Sequence, residues 1–185
     1  MNDAFPDDPT RSQDSDGDGF DDLEDNCISV AGNSTEDRTG CPDTDDDGYS
    51  DVTPPTDGTV GWNLSDGADA FPIEPSQWSD TDGDGFGDNA AGFEGDDCPA
   101  EEGYSNIGLF GCPDGDNDGT AQTDDAFPDD PSQWNDTDGD GYGDNPNGTN
   151  PDACPAVVGT STIDRFGCPD EDSDGASNDL SLIHI

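Results

Sequence analysis

The stretch Asp136-Thr137-Asp138-Gly139-Asp140-Gly141-Tyr142-Gly143-Asp144 limits what this chain can become. Carboxylates at alternate positions, a glycine at the sixth and another acid at the ninth make a loop able to fold its oxygens onto one hard cation. Six copies of Asp-x-Asp-x-Asp-Gly occur, beginning at Asp14, Asp43, Asp80, Asp114, Asp136 and Asp170. A shuffled chain of this composition would hold roughly 0.3.

The copies keep step with other marks. Asp-Ala-Phe-Pro occurs at Asp3, Asp69 and Asp125, and eleven residues after each heading Asp a loop begins, at Asp14, Asp80 and Asp136. A cysteine follows (Cys27, Cys98, Cys154), then a second cysteine fourteen positions on (Cys41, Cys112, Cys168), which opens another loop. Fixed registry of this kind marks a structural repeat. Three units are expected, over 3–68, 69–124 and 125–179. The first lacks five residues between its loop and Cys27, and carries a Pro-, Gly- and Thr-rich segment at about 53–67 that reads as a surface insertion. Residues 180–185 break the composition and are expected to be a foreign tail. Asp3 to Pro6, at the start of the chain, matches later internal segments, so a fragment of a longer protein is expected.

Composition sharpens the problem. Only 26% of the chain is hydrophobic, and 48 acids against three arginines leave a net charge of -45. Self-repulsion on that scale expands a bare chain. Divalent metal offers the escape, with binding and folding becoming one process. Such a chain is repelled by nucleic acid, and no apolar run approaches the ~20 residues of a membrane span. With 25 Gly and 15 Pro, no helical periodicity survives three turns. The expected fold is irregular, mostly coil and turns: a calcium-stabilised, disulfide-stapled tandem repeat array without a large hydrophobic core.

The ligand assignment runs by position. The first loop offers Asp14, Asp16 and Asp18, the Phe20 carbonyl, and Asp22 directly or through water, with Asp25 at the twelfth place. The second offers Asp43, Asp45, Asp47, Tyr49 and Asp51; the third Asp80, Asp82, Asp84, Phe86 and Asp88; the fourth Asp114, Asp116, Asp118, Thr120 and Gln122, with Asp125 at the twelfth. The fifth offers Asp136, Asp138, Asp140, Tyr142 and Asp144, and the sixth Asp170, Asp172, Asp174, Ala176 and Asn178. Carboxylate-dense flexible loops favour calcium over magnesium, which wants a rigid octahedron. Six or more ions are expected. The bidentate twelfth acid and flanking helices of an EF-hand are missing, the twelfth places of the other loops being Pro54, Ala91, Asn147 and Ser181. Remaining ligands are therefore expected from heading acids (Asp8, Glu74, Asp130; Asp69, Asp125) and from acids before the cysteines (Asp25, Asp96, Asp97, Asp152).

From Asp14 to Cys27, and again from Cys41 to Gly48, the chain resembles the thrombospondin type 3 repeat and its microbial relatives. The likeness covers Asp14 to Asp51, Asp80 to Gln122 and Asp136 to Asn178. It implies aspartate loops wrapped round calcium in place of a hydrophobic core, in extracellular and often adhesive proteins. Cysteine placement, the Asp-Ala-Phe-Pro headings and the spacers Asn89 to Asp97 and Asn145 to Ala153 depart from the family pattern.

Equal spacing makes the local pairs Cys27–Cys41, Cys98–Cys112 and Cys154–Cys168 the simplest of fifteen connectivities. Each adds about 3 kcal/mol on a chain-entropy basis, in an oxidising, extracellular setting. Arg38 and Arg165, each three residues before a cysteine, are placed to bridge carboxylates. Aromatics in the headings and before the cysteines are expected to form a small apolar cluster per unit. Sequons at Asn33, Asn63, Asn135 and Asn147 would be usable in an exported chain. No nucleophile and base constellation appears, so an enzyme is not expected. The expected function is an extracellular calcium-binding spacer within a larger surface or secreted protein. The alternative is a calcium-mediated adhesive or self-assembling module whose partners are other copies or extracellular surface components.

Overall fold

A computed structural model describes residues 4–53 and 61–178. The residues expected to form a foreign tail, and residues 54–60 of the insertion, lie outside these. Nearly all of the chain is coil and turn, as the Gly and Pro density predicts. Regular structure among the described residues amounts to one 3-10 turn, Leu64–Asp66, and one two-stranded antiparallel ribbon, β1 (Asn106–Ile107) and β2 (Leu109–Phe110), which turns at Gly108. No helix among them is long and apolar enough to cross a membrane.

What replaces regular structure is a set of side-chain turns. Asp, Asn and Ser offer the backbone local hydrogen bonds that compete with helix and sheet, and here they recur at matching positions. The interior shows the result. Among the described residues the buried apolar side chains are Cys41, Cys112, Cys168, Ala68 and Ala121, whereas the largest fully buried ones are Gln77, Gln133, Asp69 and Asp96. Leu23 and Ile73 stand 88% and 85% exposed. A chain that buries amides and carboxylates in preference to leucine gains little from apolar burial, so its polar interior must be fully partnered.

The chain forms two compact units, Met1–Ala100 and Glu101–Ile185. In the first, Cys27 and Cys41 are bridged with their Cα atoms 5.0 Å apart. Ser34, fully buried, clasps the lobe they close: its hydroxyl donates to the Arg38 carbonyl (2.7 Å) and accepts from the Cys41 N–H (3.0 Å). Gly32 passes so close to the Cys41 backbone that a Cβ there would collide with it. The insertion closes on the same lobe. Thr53 and Trp62 exchange backbone hydrogen bonds of 2.9 Å, the Trp62 indole donates to Asp37 (3.1 Å), and the Arg38 guanidinium lies 4.6 Å from the centre of a Trp62 ring. Trp62, the aromatic that matches no repeat position, thus anchors the insertion. Arg38 donates from Nε to Ser50 and carries the aromatic contact, where sequence spacing had it bridging carboxylates.

Gln77 organises the 89–97 spacer. Its amide donates to the carbonyls of Asn89 (3.0 Å) and Phe93 (3.2 Å) and accepts from the Asn89 N–H (3.0 Å). Room for it comes from Gly87, where any Cβ would run into the Gln77 side chain. The first heading solves the same problem differently. The five spacer residues are missing, Arg11 stands where Gln77 would be, and Asp21 replaces the glycine. The Asp21 carboxylate, 2% exposed, fills the space and accepts from the N–H groups of Ser12, Leu23 and Gln13, which hold it below the usual carboxylate range. Tyr49 and Trp78 stack at 5.2 Å.

The second unit repeats these devices. Cys154 and Cys168 are bridged (Cα atoms 5.1 Å apart) around buried Ser161, whose hydroxyl donates to the Arg165 carbonyl and accepts from the Cys168 N–H. Gln133 holds the 145–153 spacer through the carbonyls of Asn145 and Thr149 and the Asn145 N–H, with Gly143 making the room. Tyr142 and Phe166 meet at 5.7 Å. The Arg165 guanidinium reaches Cys154 Sγ at 3.7 Å. Cys98 and Cys112 are also disulfide-bonded, which leaves no free thiol.

Candidate metal centres

Each loop is wound by its own acids. The first Asp accepts two backbone N–H groups, three and five residues on: Gly139 (2.7 Å) and Gly141 (2.9 Å) at Asp136, and likewise at Asp14, Asp43, Asp80, Asp114 and Asp170. The third-position Asp accepts from the N–H two residues on (3.2 Å at Asp138), and the fifth-position Asp does the same with the seventh residue (3.1 Å from Tyr142 to Asp140). The same bonds recur at Phe20, Tyr49, Phe86, Thr120 and Ala176. Gly141, at φ 93°, turns the chain in the left-handed region that glycine alone enters freely.

The acids converge as a result. One carboxylate oxygen from each of Asp14, Asp16 and Asp18 lies within 4.8 Å of the others, and the same holds for Asp43, Asp45 and Asp47, for Asp80, Asp82 and Asp84, for Asp114, Asp116 and Asp118, and for Asp136, Asp138 and Asp140. Such groups could hold a metal ion. Three like charges at that distance repel strongly in a partly desolvated site.

The ninth residue closes the loop. Asp144 accepts from the Thr137 N–H (3.3 Å) and hydroxyl (2.6 Å), and its own N–H donates to the Asn135 carbonyl (2.9 Å), which closes the base of the loop. Asp22, Asp51 and Asp88 grip Ser15, Thr44 and Thr81 in the same way, and Asn178 accepts from the Glu171 N–H. Gln122 keeps the backbone bond, to Pro113.

A further carboxylate joins each of the first five clusters. Asp25, Asp69, Asp96, Asp125 and Asp152 each accept, through Oδ1, the N–H two residues on, at 2.6–2.7 Å. Burial raises the pKa of all five, and acids of the adjacent loop raise it further: Asp18 and Asp16 at Asp25; Asp47, Asp45 and Asp51 at Asp69; Asp84, Asp82 and Asp88 at Asp96; Asp118 and Asp114 at Asp125; Asp140, Asp138 and Asp144 at Asp152. Asp69 is pushed up to about 7. So the twelfth-place acid, present in sequence only at Asp25 and Asp125, is restored in space by Asp69, Asp96 and Asp152, delivered across the insertion or a spacer.

These carboxylates are half-partnered. The Oδ2 atoms of Asp16, Asp45, Asp116 and Asp138 are buried and accept no hydrogen bond, and neither do those of Asp69, Asp96 and Asp152, whose residues are 1%, 2% and 6% exposed. Buried oxygens among other carboxylates with no donor in reach are costly when ionised, and either a proton or a cation would relieve them. Asp8, Glu74 and Asp130 accept from Thr10, Ser76 and Ser132 in short turns, and Asp130 also adds to the negative field at Asp125. Asp97 is exposed.

The disulfide lobe supports the acids from behind. The Gly159 N–H donates to Asp140 Oδ2 (2.9 Å), and the Gly32 N–H to Asp18 Oδ2 (3.0 Å). Gly167 and Gly40 press against Asp152 and Asp25 with no room for a Cβ. On its other side the lobe clasps the next loop: the N–H groups of Thr162 and Ile163 both reach the Gly175 carbonyl, as Thr35 and Glu36 reach Gly48. Asp164 then binds the N–H and hydroxyl of Ser177 (both 2.8 Å), and Asp37 those of Ser50. In the middle copy both partners are reduced together, to Gly108 and Ala121. Sequence reasoning passed over Ser34, Ser105 and Ser161, all seven residues before a cysteine, and Asp37 and Asp164. Aligning the three copies on their cysteines would have found them. No protein-family model and no curated protein matches the chain.

Proposed function

We propose that the chain is an extracellular calcium-binding spacer of the thrombospondin type 3 kind, whose folding depends on its ions. The observation that carries this reading is the further carboxylate beside the Asp triplet at each of five loops, buried at Asp25, Asp69, Asp96 and Asp152, with the Oδ2 of Asp69, Asp96 and Asp152 lacking a hydrogen-bond donor. Four or five carboxylates with a seventh-position carbonyl make an all-oxygen, flexible ligand set, the chemistry calcium prefers and magnesium does not. The ions would neutralise charge at the places where the chain concentrates it and would stand in for an apolar core. Disulfide-bonded cysteines fit an oxidising compartment.

Calorimetric titration of chelator-treated, oxidised protein tests the reading. At least six calcium ions should bind, with magnesium much weaker. Fewer than four ions, or equal affinity for magnesium, would contradict it.

A further inference from the structure

We propose that a cleft beside the second heading, within Met1–Ala100, receives an arginine side chain from a basic segment of a partner protein. The cleft encloses about 320 Å³. Phe71, Ile73, Phe86 and Phe93 give it apolar walls, and Glu74 and Glu94 stand among its lining residues together with Gly85. Ile73 is 85% and Phe93 62% exposed.

The fold does not require these residues. The third heading keeps the same hydrogen-bonded frame around Gln133 and has Asp129 where Ile73 stands, Thr149 for Phe93 and Asn150 for Glu94. Glu94 also sits in the left-handed region (φ 46°), as Asn150 does (φ 44°). Asparagine adopts that conformation readily and glutamate does not. The second copy therefore carries two exposed apolar side chains and a strained acid around one cleft.

The first heading shows what such a place accepts. Phe5 and Gly19 correspond to Phe71 and Gly85. There the chain's own Arg11 lays its guanidinium 4.3 Å from the centre of the Phe5 ring, donates to the Gly19 carbonyl (3.3 Å) and pairs with Glu24 (3.4 Å). In the second copy Gln77 takes the place of Arg11 and turns inward, so the aromatic face, the loop glycine and Glu94 are left for a guanidinium from elsewhere, beside Glu74, whose Oε1 accepts from Ser76. An apolar stem with a planar cation matches walls of Phe and Ile beside Glu. The net charge of -45 argues for a basic partner and against a second copy. The inference does not rest on the identity of the metal, because no loop carboxylate lines the cleft.

The test is heteronuclear NMR of the full oxidised chain in excess calcium, titrated with blocked tetra-arginine and, separately, blocked tetra-lysine at matched ionic strength. Saturable shifts should concentrate at Phe71, Gly85, Phe93 and Glu94, with arginine at least several-fold tighter than lysine. The triple variant Ile73→Asp, Phe93→Thr, Glu94→Asn, which installs the third copy's residues, should weaken arginine binding at least tenfold. Glu94→Asn alone, which relieves the backbone, should weaken it several-fold. Shifts spread evenly over the acidic loops, equal binding of lysine, unchanged affinity in both variants, or self-association through this face would overturn the proposal.

Discussion

Asp152 shows most plainly how one side chain serves two purposes. Its Oδ1 fixes the start of the disulfide lobe through the Cys154 N–H, while its Oδ2, buried and without a donor, is presented beside Asp138 and Asp140. Asp152→Asn should remove one ion from the titration, or weaken one site at least tenfold, because it deletes a charge from the ligand set. It should also make the metal-free chain more compact, because it removes repulsion there. Asp8→Asn, which alters a short turn with Thr10, should leave ion count and affinity unchanged. Site-resolved NMR titration of the two variants distinguishes them.

Asp69 sets the sign of the pH response. Desolvation, with Asp47, Asp45 and Asp51 adding to it, lifts its pKa from 3.8 to about 7. A group whose folded value lies above its unfolded value binds protons more tightly when folded. Its contribution is therefore favourable below pH about 4 and is lost as pH rises through 7; Asp25, Asp96, Asp125 and Asp152 act in the same direction. In chelator the compact form should melt at a lower temperature at pH 8 than at pH 5. In limiting calcium the order should reverse, because protons compete with the ion. Paired thermal melts across that range check both.

At the scale of elements, the spacer and the lobe determine where the acids end up. Gln133 belongs to no cluster, yet its amide holds both ends of the turn 145–149 that leads to Asp152. Gln133→Ala strands two carbonyls and an N–H and should cost about 2–4 kcal/mol. It should weaken the Asp136 to Asp144 site several-fold while leaving the site at Asp170 near wild type. A variant that lost stability with no change in that site's affinity would separate the spacer from the ion.

These elements were unequally legible. The six loops could be read because three acids and a glycine at fixed spacing specify a turn by themselves, and the disulfides because each pair recurs at one separation. Position alone could not show that the ninth acid also grips Thr137 across the loop's mouth. Asp69, Asp96 and Asp152 could be named as donors but not assigned to loops: the insertion or a five-residue spacer intervenes, and Gln77 or Gln133 takes up the slack. The headings misled in part. Asp8, Glu74 and Asp130 repeat as faithfully as any ligand, yet they cap turns, because registry marks structural need of any kind.

For the whole molecule, the account makes one claim about energy. Among the described residues the largest fully buried side chains are amides, carboxylates, serines and disulfide sulfurs, so apolar burial offsets little of the chain entropy and of the repulsion from a net charge of -45. On the proposed reading, bound cations supply the difference. The measurement is the hydrodynamic radius of the oxidised chain, followed by dynamic light scattering along a calcium titration that begins in chelator. The account predicts an expanded chain at the start and a chelator-reversible contraction that tracks the filling of the loops. An identical radius in calcium and in chelator would contradict it.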